Sequence, residues 1–395
     1  MKVVFLQRMF AHYQWGLVQE LAERGEHEYS FIGDTRDPCG SGIEVIPAER
    51  LQQVSFTAGR TWQIGNRVAL QPVAVRVAAA GRYDVLILEG SIGLATTWAA
   101  MRVAQGRAKR ALLYTHGWTR QSEAGWIGAA RTRFLRSADG LLLYGARAKA
   151  IGRGRGVPEE RMHVVFNCLD HRTMIACRSR ISDAALNEFR RAAFGSAELP
   201  IVAYVGRVRK EKQLEIVLRA LARLKSRNVR AGFLVIGGGP AAAELQEKCE
   251  SMRIPGCFTG PVEDEEKLSV MLSASRVAVA PGTAGLMVVH AMSYGTPVLT
   301  HGDFDHQVPE AEAVVPGVTG ELFLRGDEAD LCDKLRRFLG PDDDRARYAE
   351  CCMEMVDRYY NPAFMRQVFD RAVSGLPAQD DWPRLSFDHQ GEYRG

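Results

Sequence analysis

The chain has 395 residues, which is too long for one ordinary hydrophobic core and suits two domains of roughly 150 to 200 residues each. An apolar content of 46% and a charged content of 25% are those of a globular protein, and a net charge of +4 argues against a dedicated nucleic-acid binder. No run of about 18 apolar residues occurs, so we expect no transmembrane helix. The scattered cysteines, with no Cys-x-x-Cys pair, favour reduced thiols in the cytoplasm.

The first half contains short apolar runs bounded by turn residues and separated by amphipathic stretches, the pattern of buried strands in βαβ units. These runs are Val3–Leu6, Tyr29–Ile32, Val85–Leu88, Leu112–Tyr114, Leu141–Tyr144 and Val164–Phe166. We therefore predict an α/β domain with a doubly wound parallel sheet, Rossmann-like, over residues 1–170.

A second series of apolar runs follows a charged segment that has no strand pattern, residues 171–198, which we predict to be a linker. The runs are Ile201–Val205, Phe233–Ile236, Val277–Ala280 and Val298–Leu299. They predict a second Rossmann-like doubly wound domain over residues 199–357. We expect a helix over 358–377 to cross back to the first domain, and a loose polar tail over 378–395 to touch the surface through Trp382 and Phe387.

The strand Ile201–Val205 is followed by the most basic loop of the second half. Arg207, Arg209, Lys210 and Lys212 place four cations within six residues directly after Gly206. An arginine fork with a lysine point charge neutralises a diphosphate well, and in particular the charge that develops on a leaving phosphate. An ordinary solvated loop is the alternative.

Two glycine-containing turns follow the next strands. Gly282, Thr283 and Gly285 lie between a strand and a helix, where backbone N–H groups can face an anion and Thr283 can serve as a cap or donor; an ordinary turn is the alternative. Gly237-Gly238-Gly239 loosely matches a dinucleotide fingerprint, but a proline at position 240 interrupts it.

On these motifs the chain resembles a retaining glycosyltransferase of the GT-B fold, similar to the family 4 group. The resemblance extends most clearly over residues 200–325, through a G-R-x4-K motif, a G-x-G turn and a signature over residues 282–298. It implies two Rossmann-like domains facing an interdomain cleft. It also implies donor-nucleotide contacts at Gly206, Arg207, Lys212, Gly237, Gly238, Gly282, Thr283, Ala284, Gly285, Leu286 and His290.

The chain departs from the family at the paired glutamates of that signature. Gly282 replaces the glutamate that contacts the donor sugar, and His290 replaces the one that contacts the ribose hydroxyls. A ring nitrogen of His290 can still hydrogen-bond a ribose, although a histidine packed on the sheet is the alternative. We hypothesise that Gly282 opens space for a deoxygenated or substituted donor sugar.

In the first domain the resemblance implies that His116, after the strand Leu112–Tyr114, faces the donor sugar and contributes to catalysis with Arg207 and Lys212. A capping or buried histidine is the alternative. Acceptor-side candidates are Arg8, His12, Tyr13, Trp118 and Arg120. Residues 118–136 mix aromatic and basic residues, which suits either a core helix with a basic face or a peripheral contact with the inner face of the membrane.

The resemblance implies transfer of a sugar from a nucleoside diphosphate sugar to an acceptor hydroxyl, with retention and no metal or other cofactor. The segment His301–His306 lacks a recognisable zinc spacing. Polysaccharide or glycoconjugate synthesis is the expected role, and saccharide, lipid-linked and small-molecule natural-product acceptors stay open. Two competing functions also stay open. One is a nucleotide-sugar-binding protein that has lost catalysis, suggested by the missing glutamates, and the second is a nicotinamide-dependent enzyme using the turn at 237–242.

Overall fold

A computed structural model describes residues 1–38, 40, 42–65, 68–107, 109–119, 125–340, 344–380, 385–388 and 391–394. The chain forms two compact units. The first consists of Met1–Asp170 with Tyr359–Gly395, and the second of His171–Arg358. Among the described residues, no helix has the length and apolarity needed to cross a bilayer.

The first unit is built on a seven-stranded parallel sheet whose buried strands are short runs of branched and aromatic residues. The strands of this sheet are β1 Lys2–Met9, β2 Glu28–Asp34, β3 Phe56–Ala58, β6 Val85–Glu89, β7 Arg110–Thr115, β8 Gly140–Leu143 and β9 Met162–Val164. A separate hairpin is formed by β4 Trp62–Ile64 and β5 Val68–Leu70. Its helices up to residue 170 are α1 Trp15–Arg24, α2 Ala48–Leu51, α3 Pro72–Ala80, α4 Ala95–Gln105, α5 Gly125–Arg136 and α6 Ala146–Gly154. The strand order is β3-β2-β1-β6-β7-β8-β9, and a hydrophobic cluster covers each face.

The second unit is built on a six-stranded parallel sheet. Its helices are α7 His171–Arg178, α8 Asp183–Phe194, α9 Glu215–Ser226, α10 Ala242–Ser251, α11 Glu265–Ser273, α12 Met287–Ser293, α13 Glu328–Leu339 and α14 Arg345–Tyr359. Its strands are β10 Ile201–Val205, β11 Gly232–Ile236, β12 Gly256–Gly260, β13 Val277–Ala280, β14 Val298–His301 and β15 Gly320–Phe323, in the order β12-β11-β10-β13-β14-β15. The prediction of two doubly wound parallel sheets is confirmed.

The predicted linker over 171–198 is wrong, because the segment forms α7 and α8 of the second unit. Met174 and Cys177 of α7 are buried, and the Ser182 hydroxyl caps α8 by accepting from the Ala185 N–H. The segment without a strand pattern is therefore two helices and not a linker.

The chain returns to the first unit through α15 (Pro362–Ser374), which packs against α1. Phe369 is fully buried in the core on that face of the sheet, and the Tyr29 hydroxyl donates to Asp370 at 2.9 Å. The described part of the C-terminus thus contributes to the core of the first unit.

The expectation of a loose tail over 378–395 is also wrong for its described residues. The guanidinium of Arg147 donates to the Gly391 carbonyl at 2.7 Å, and Lys149 pairs with Asp380 at 2.8 Å. Short antiparallel strands β16 (Ser386–Phe387) and β17 (Tyr393–Arg394) complete the segment. Trp382 lies outside the described residues.

Candidate functional site

Each sheet has one place where the strand order reverses direction, and the loops there leave the sheet on diverging sides. In the second unit this switch point lies between β10 and β13, and in the first between β1 and β6. In parallel sheets a crevice forms outside the carboxyl ends of the two strands at such a point, and ligands bind there. The basic loop at 206–212 follows β10, and the loop at 281–286 follows β13.

Lys212 connects the two loops at the second switch point. Its ammonium donates to the carbonyl oxygen of Thr283 at 2.7 Å and to the hydroxyl oxygen at 2.9 Å. An ammonium has three donors, and the third makes no hydrogen bond within the described residues. Burial lowers the pKa of Lys212 from its ordinary value of 10.5, against the opposing effects of Glu310 and Glu211.

Arg207 lies on the exposed side of the same loop, and its guanidinium has no ion-pair partner among the described residues. Its main chain is fixed, since the buried Tyr204 ring donates its hydroxyl to the Arg207 carbonyl at 3.1 Å. The loop therefore has an anchored backbone and an available planar cation, which suits recognition of phosphate oxygens.

The glycine turn after β11 packs directly against this basic loop. Gly237 has a φ of 135°, and a Cβ there would lie 2.1 Å from the Gly206 carbonyl oxygen. The Gly206 N–H donates to the carbonyl of Ile236, and the Val208 N–H donates to that of Gly238, both at 2.8 Å. The close approach of two backbones thus accounts for glycine at 237, without any dinucleotide.

The structure overturns the hypothesis that Gly282 opens space beside a donor sugar. A Cβ at Gly282 would lie 2.3 Å from the Glu211 carbonyl oxygen and 3.0 Å from the Lys212 Cα. The backbone of the basic loop fills the space beside this residue. The glycine allows the two switch-point loops to approach each other, and a longer side chain would separate them.

Gln307 organises the loop after β13, and sequence reasoning did not single it out. Its side-chain oxygen accepts from the Ala284 N–H at 3.0 Å, and its side-chain nitrogen donates to the Thr300 hydroxyl at 2.7 Å. The Ala284 amide is therefore occupied, which corrects the expectation that it faces an anion. The amides of Gly285 and Leu286 make no hydrogen bond within the described residues.

His290 lies four residues beyond Leu286, on α12, and is mostly buried. Its Nε2 lies 2.8 Å from Oε1 of Glu265, the first residue of α11. The buried Tyr294 hydroxyl donates to the same Oε1 atom. Neither Glu265 nor Tyr294 was predicted, because Glu265 reaches His290 and Tyr294 only through long-range contacts and the acidic start of α11 has the pattern of an ordinary helix N-terminus.

In the first unit, a pocket of about 530 Å³ opens at the other switch point. Arg8 is the last residue but one of β1 and Glu89 ends β6, and their side chains pair at 2.7 Å between Nε and Oε1. The Arg8 main-chain N–H also donates to Glu89 Oε2 at 2.8 Å. The charges of these two strand ends therefore neutralise each other.

His116 and Tyr13 line the same pocket, whereas His12 does not. The His116 ring is exposed and stacks on Tyr144, with the centroids 4.2 Å apart and the planes at 10°. His12 is exposed and its Nδ1 lies 3.3 Å from the Glu44 carbonyl.

Trp118 is wrongly predicted as an acceptor contact, because its ring is 1% exposed in the core and its indole N–H donates to the Thr132 hydroxyl at 3.1 Å. Arg120 lies outside the described residues. Helix α5, further along the same segment, exposes Trp126 (80%) and Ile127 (47%).

The described residues contain no group of three or more His, Cys, Asp or Glu side chains arranged to hold a metal ion. In the segment His301–His306, Asp303 pairs with His306 at 2.8 Å and with Arg325 at 3.1 Å. Burial lowers the pKa of His301 to about 4. The independence of metal stays a prediction.

Family comparisons match both halves of the chain. Residues 11–173 match the family described as "Glycosyltransferase Family 4". Residues 199–340 match the family described as "Glycosyl transferases group 1".

Curated relatives carry the same kind of name. The sulfoquinovosyl transferase SQD2 of Arabidopsis thaliana is 33% identical over 43% of this chain and 32% of its own length. The alpha-D-kanosaminyltransferase of Streptomyces kanamyceticus is 27% identical over 56% of each chain. A D-inositol 3-phosphate glycosyltransferase of Nocardia farcinica is 36% identical over 38% of this chain and 34% of its own. The chain thus matches between 32% and 56% of the length of these relatives.

Solved structures match almost the whole chain. Anabaena HepE in complex with UDP has a TM-score of 0.71 at 16% identity, covering 95% of this chain and 100% of its own. The lipopolysaccharide outer core galactosyltransferase WaaB has a TM-score of 0.64 at 14% identity, covering 95% and 99%. At these identities the likeness shows the fold, which is GT-B.

Proposed function

We propose, because residues 11–173 and 199–340 each match a glycosyltransferase family, that the protein moves a sugar from a nucleoside diphosphate sugar to an acceptor hydroxyl, with retention of anomeric configuration. The second unit binds the donor nucleotide, and the pocket of the first unit binds the acceptor. Polysaccharide or glycoconjugate synthesis is the proposed role.

The reaction breaks the bond between the anomeric carbon and the phosphate oxygen and forms a bond from that carbon to the acceptor oxygen. Attack occurs on the face that the phosphate leaves, and the departing phosphate oxygen takes the acceptor proton. Arg207 and Lys212 stabilise the negative charge on the leaving diphosphate, so no protein nucleophile and no metal is required. His116 faces the donor sugar in this proposal.

The hydrogen bonds from Lys212 to Thr283 are the observation that carries the proposal. They hold an ammonium at the carboxyl ends of β10 and β13, with one N–H left for a ligand. A half-buried ammonium with an available donor, beside an arginine that has no ion-pair partner among the described residues, favours an anionic ligand at this switch point. A nucleoside diphosphate provides that anion.

The first test is thermal stabilisation by UDP, GDP, dTDP, ADP, CMP and NAD, since a ligand at 100 times its dissociation constant adds about 2.7 kcal/mol. We expect one nucleoside diphosphate to stabilise the protein and the effect to disappear in Arg207→Ala and Lys212→Ala. Lys210→Ala is the matched control, because Lys210 lies exposed in the same loop and pairs with Glu244 at 3.6 Å. A response to NAD alone would overturn the proposal.

Turnover then separates a transferase from a protein that only binds the nucleotide sugar. The responding nucleotide is supplied as its sugar conjugates with candidate acceptors, and nucleotide release and the anomeric configuration of the product are measured. Binding without release for every pair would favour the non-catalytic function, and a product of inverted configuration would refute retention.

The acceptor class is left to experiment, because the relatives' names specify different sugars and acceptors. The pocket that contains the Arg8–Glu89 pair, Tyr13 and His116 offers charged groups and aromatic rings, a mixture suited to hydroxyl-rich molecules. A small-molecule natural-product acceptor is thus kept beside saccharides.

A lipid-linked acceptor is supported by one feature of α5. Trp126 and Ile127 are exposed near the start of this helix, and Arg133 and Arg136 are exposed near its end. An exposed tryptophan with arginines suits peripheral contact with anionic headgroups at the inner face of the membrane. Co-sedimentation with phosphatidylglycerol vesicles tests this, with weaker binding expected for Trp126→Ala and no binding to phosphatidylcholine alone.

A further inference from the structure

Glu265 presents a carboxylate beside the middle and the C-terminal end of α12, where it contacts His290 and Tyr294, and the proposed chemistry does not use it. Oε1 is occupied by His290 and Tyr294. Oε2 takes no hydrogen bond from the described residues, and the side chain keeps 23% of its surface exposed. The carboxylate is therefore fixed through one oxygen and available through the other.

The contacts of Glu265 keep it ionised. Burial by itself would raise the pKa of Glu265, but hydrogen bonds from His290 and Tyr294 outweigh burial and lower it below its ordinary value. An ionised carboxylate only accepts hydrogen bonds, so Nε2 of His290 carries the proton toward Oε1. Oε2 is then an available hydrogen-bond acceptor, and hydroxyl groups are suitable donors for it.

The position of Glu265 relative to the phosphate machinery follows from α12. Thr283, held by Lys212, lies in the loop that enters this helix, and His290 lies four residues beyond Leu286, about 6 Å along the helix axis. The 2.8 Å contact between His290 and Glu265 places the first residue of α11 beside this part of α12. A diphosphate beside Lys212, at the loop that enters α12, would thus have the Glu265 carboxylate further along the same helix.

We propose that Glu265 accepts hydrogen bonds from the ribose hydroxyls of the donor nucleotide, and that His290 and Tyr294 are positioning residues that hold its carboxylate. The proposal rests on the proposed nucleotide-sugar site and adds a residue from a different helix. A ribose offers two neighbouring hydroxyl donors, and a carboxylate accepts from such groups with charge-assisted strength.

The experiment compares three probes by calorimetry: the nucleoside diphosphate that stabilises the wild-type protein best, its 2′,3′-dideoxy analogue, and inorganic pyrophosphate. Wild type should bind the ribonucleotide about 10- to 100-fold more tightly than the dideoxy analogue. Glu265→Gln should erase that difference and leave pyrophosphate affinity unchanged. Glu265→Asp keeps the negative charge but withdraws it from the ribose by one methylene. It should weaken binding of the ribonucleotide alone, and it replaces the glutamine variant in this test if that variant does not fold.

Glu266→Gln is the matched control, because Glu266 is the next residue of α11 and its exposed side chain pairs with Arg180. Tyr294→Phe keeps the carboxylate and should keep most of the preference for the ribonucleotide. Equal weakening of all three probes in Glu265→Gln would make Glu265 a structural link between α11 and α12 and overturn the inference. If the wild-type protein binds no nucleoside diphosphate, the proposed function fails first and this inference fails with it.

Discussion

The two units have the same kind of switch point but contrasting arrangements of charge. In the first unit Arg8, near the end of β1, is held by the glutamate at the end of β6, so the pair is neutral. In the second unit Lys212 after β10 is held by the neutral Thr283, and Arg207 has no ion-pair partner among the described residues. The topology places a crevice in both units, and the loop residues decide which ligand each crevice suits.

The contrast supports the proposal of a neutral, hydroxyl-rich ligand at the first switch point and an anion at the second. A cation already paired with a carboxylate has little left to offer a phosphate, because the ligand must compete with the internal partner. A cation held only by a hydroxyl and a carbonyl keeps its full charge. The chemical assignment of the two units thus depends on Glu89 in the first and on Thr283 in the second.

The largest expected effect is the loss of transfer when the cations of the second switch point are removed. Arg207→Ala and Lys212→Ala should each lower kcat/KM by about 100- to 1000-fold, because each removes a group that stabilises charge on the leaving diphosphate. Nucleotide release measures the rate, and Lys210→Ala should stay near wild type. A loss of less than tenfold in both variants would refute the assignment of the second unit as the donor site.

The next effect concerns the close approach of the two loops. Gly282→Ala should lower the free energy of unfolding by about 1 to 3 kcal/mol, because its Cβ would meet the Glu211 carbonyl at 2.3 Å. Gly282→Glu should lower it at least as much and also weaken nucleotide binding. Urea unfolding measures the change.

Gly302→Ala is the matched control for that variant, because the nearest atom to its added Cβ is 3.7 Å away, on Leu322. We expect a change within about 0.5 kcal/mol for it. A Gly282→Ala protein as stable as wild type would show that the loops can separate without cost.

The sequence predicted the central strands of both sheets better than their edges. Central strands such as β10 are buried on both faces and are continuous apolar runs, whereas β12 (Gly256–Gly260) is a part-exposed edge strand with a glycine at each end and was missed. The predicted strand Val164–Phe166 is observed as Met162–Val164. The helices α7 and α8 were missed because they bury few side chains and so carry a weak apolar pattern.

At the site, local motifs predicted which loops meet but not what their side chains contact. Arg207, Lys212 and Thr283 were found because they follow predicted strands. Gln307 and Glu265 were not found, since each meets the site through contacts more than 20 residues away in the chain. Gly282 shows the limit of a motif comparison, because a missing side chain suggested open space that the neighbouring backbone fills.

A smaller effect is expected in the first unit. Glu89→Gln removes the charge that neutralises Arg8, and since both side chains are partly exposed the pair contributes no more than about 1 kcal/mol. The acceptor KM should rise about 3- to 10-fold, with the nucleotide dissociation constant unchanged.

Asp84→Asn is the matched control for the first unit. Asp84 directly precedes β6, at the end of the strand opposite to Glu89, and pairs with Lys109. It should alter neither the acceptor KM nor the nucleotide dissociation constant. A weaker nucleotide affinity in Glu89→Gln would contradict the division of the two ligands between the units.

The smallest effect is a pH dependence confined to the second unit. Because burial lowers the pKa of Lys212, its ammonium loses its proton at a lower pH than an ordinary lysine, whose pKa is 10.5. A diphosphate binds the charged form, so nucleotide affinity should fall as the pH rises through that lowered pKa. Lys212→Arg keeps its charge over this range. The ratio of wild-type to variant affinity should therefore decline with pH, and this ratio cancels any ionisation of the nucleotide base.

The stability of the free protein changes in the opposite direction over the same pH range. The unfolded chain binds the Lys212 proton more tightly than the folded chain, so the free energy of unfolding rises with pH between the lowered pKa and 10.5. Thermal shifts must therefore be measured against the free protein at each pH, and calorimetry avoids the problem. An affinity ratio that stays flat up to pH 10.5 would mean that the third N–H of Lys212 does not contact the phosphate, and Arg207 alone would then distinguish the second switch point from the first.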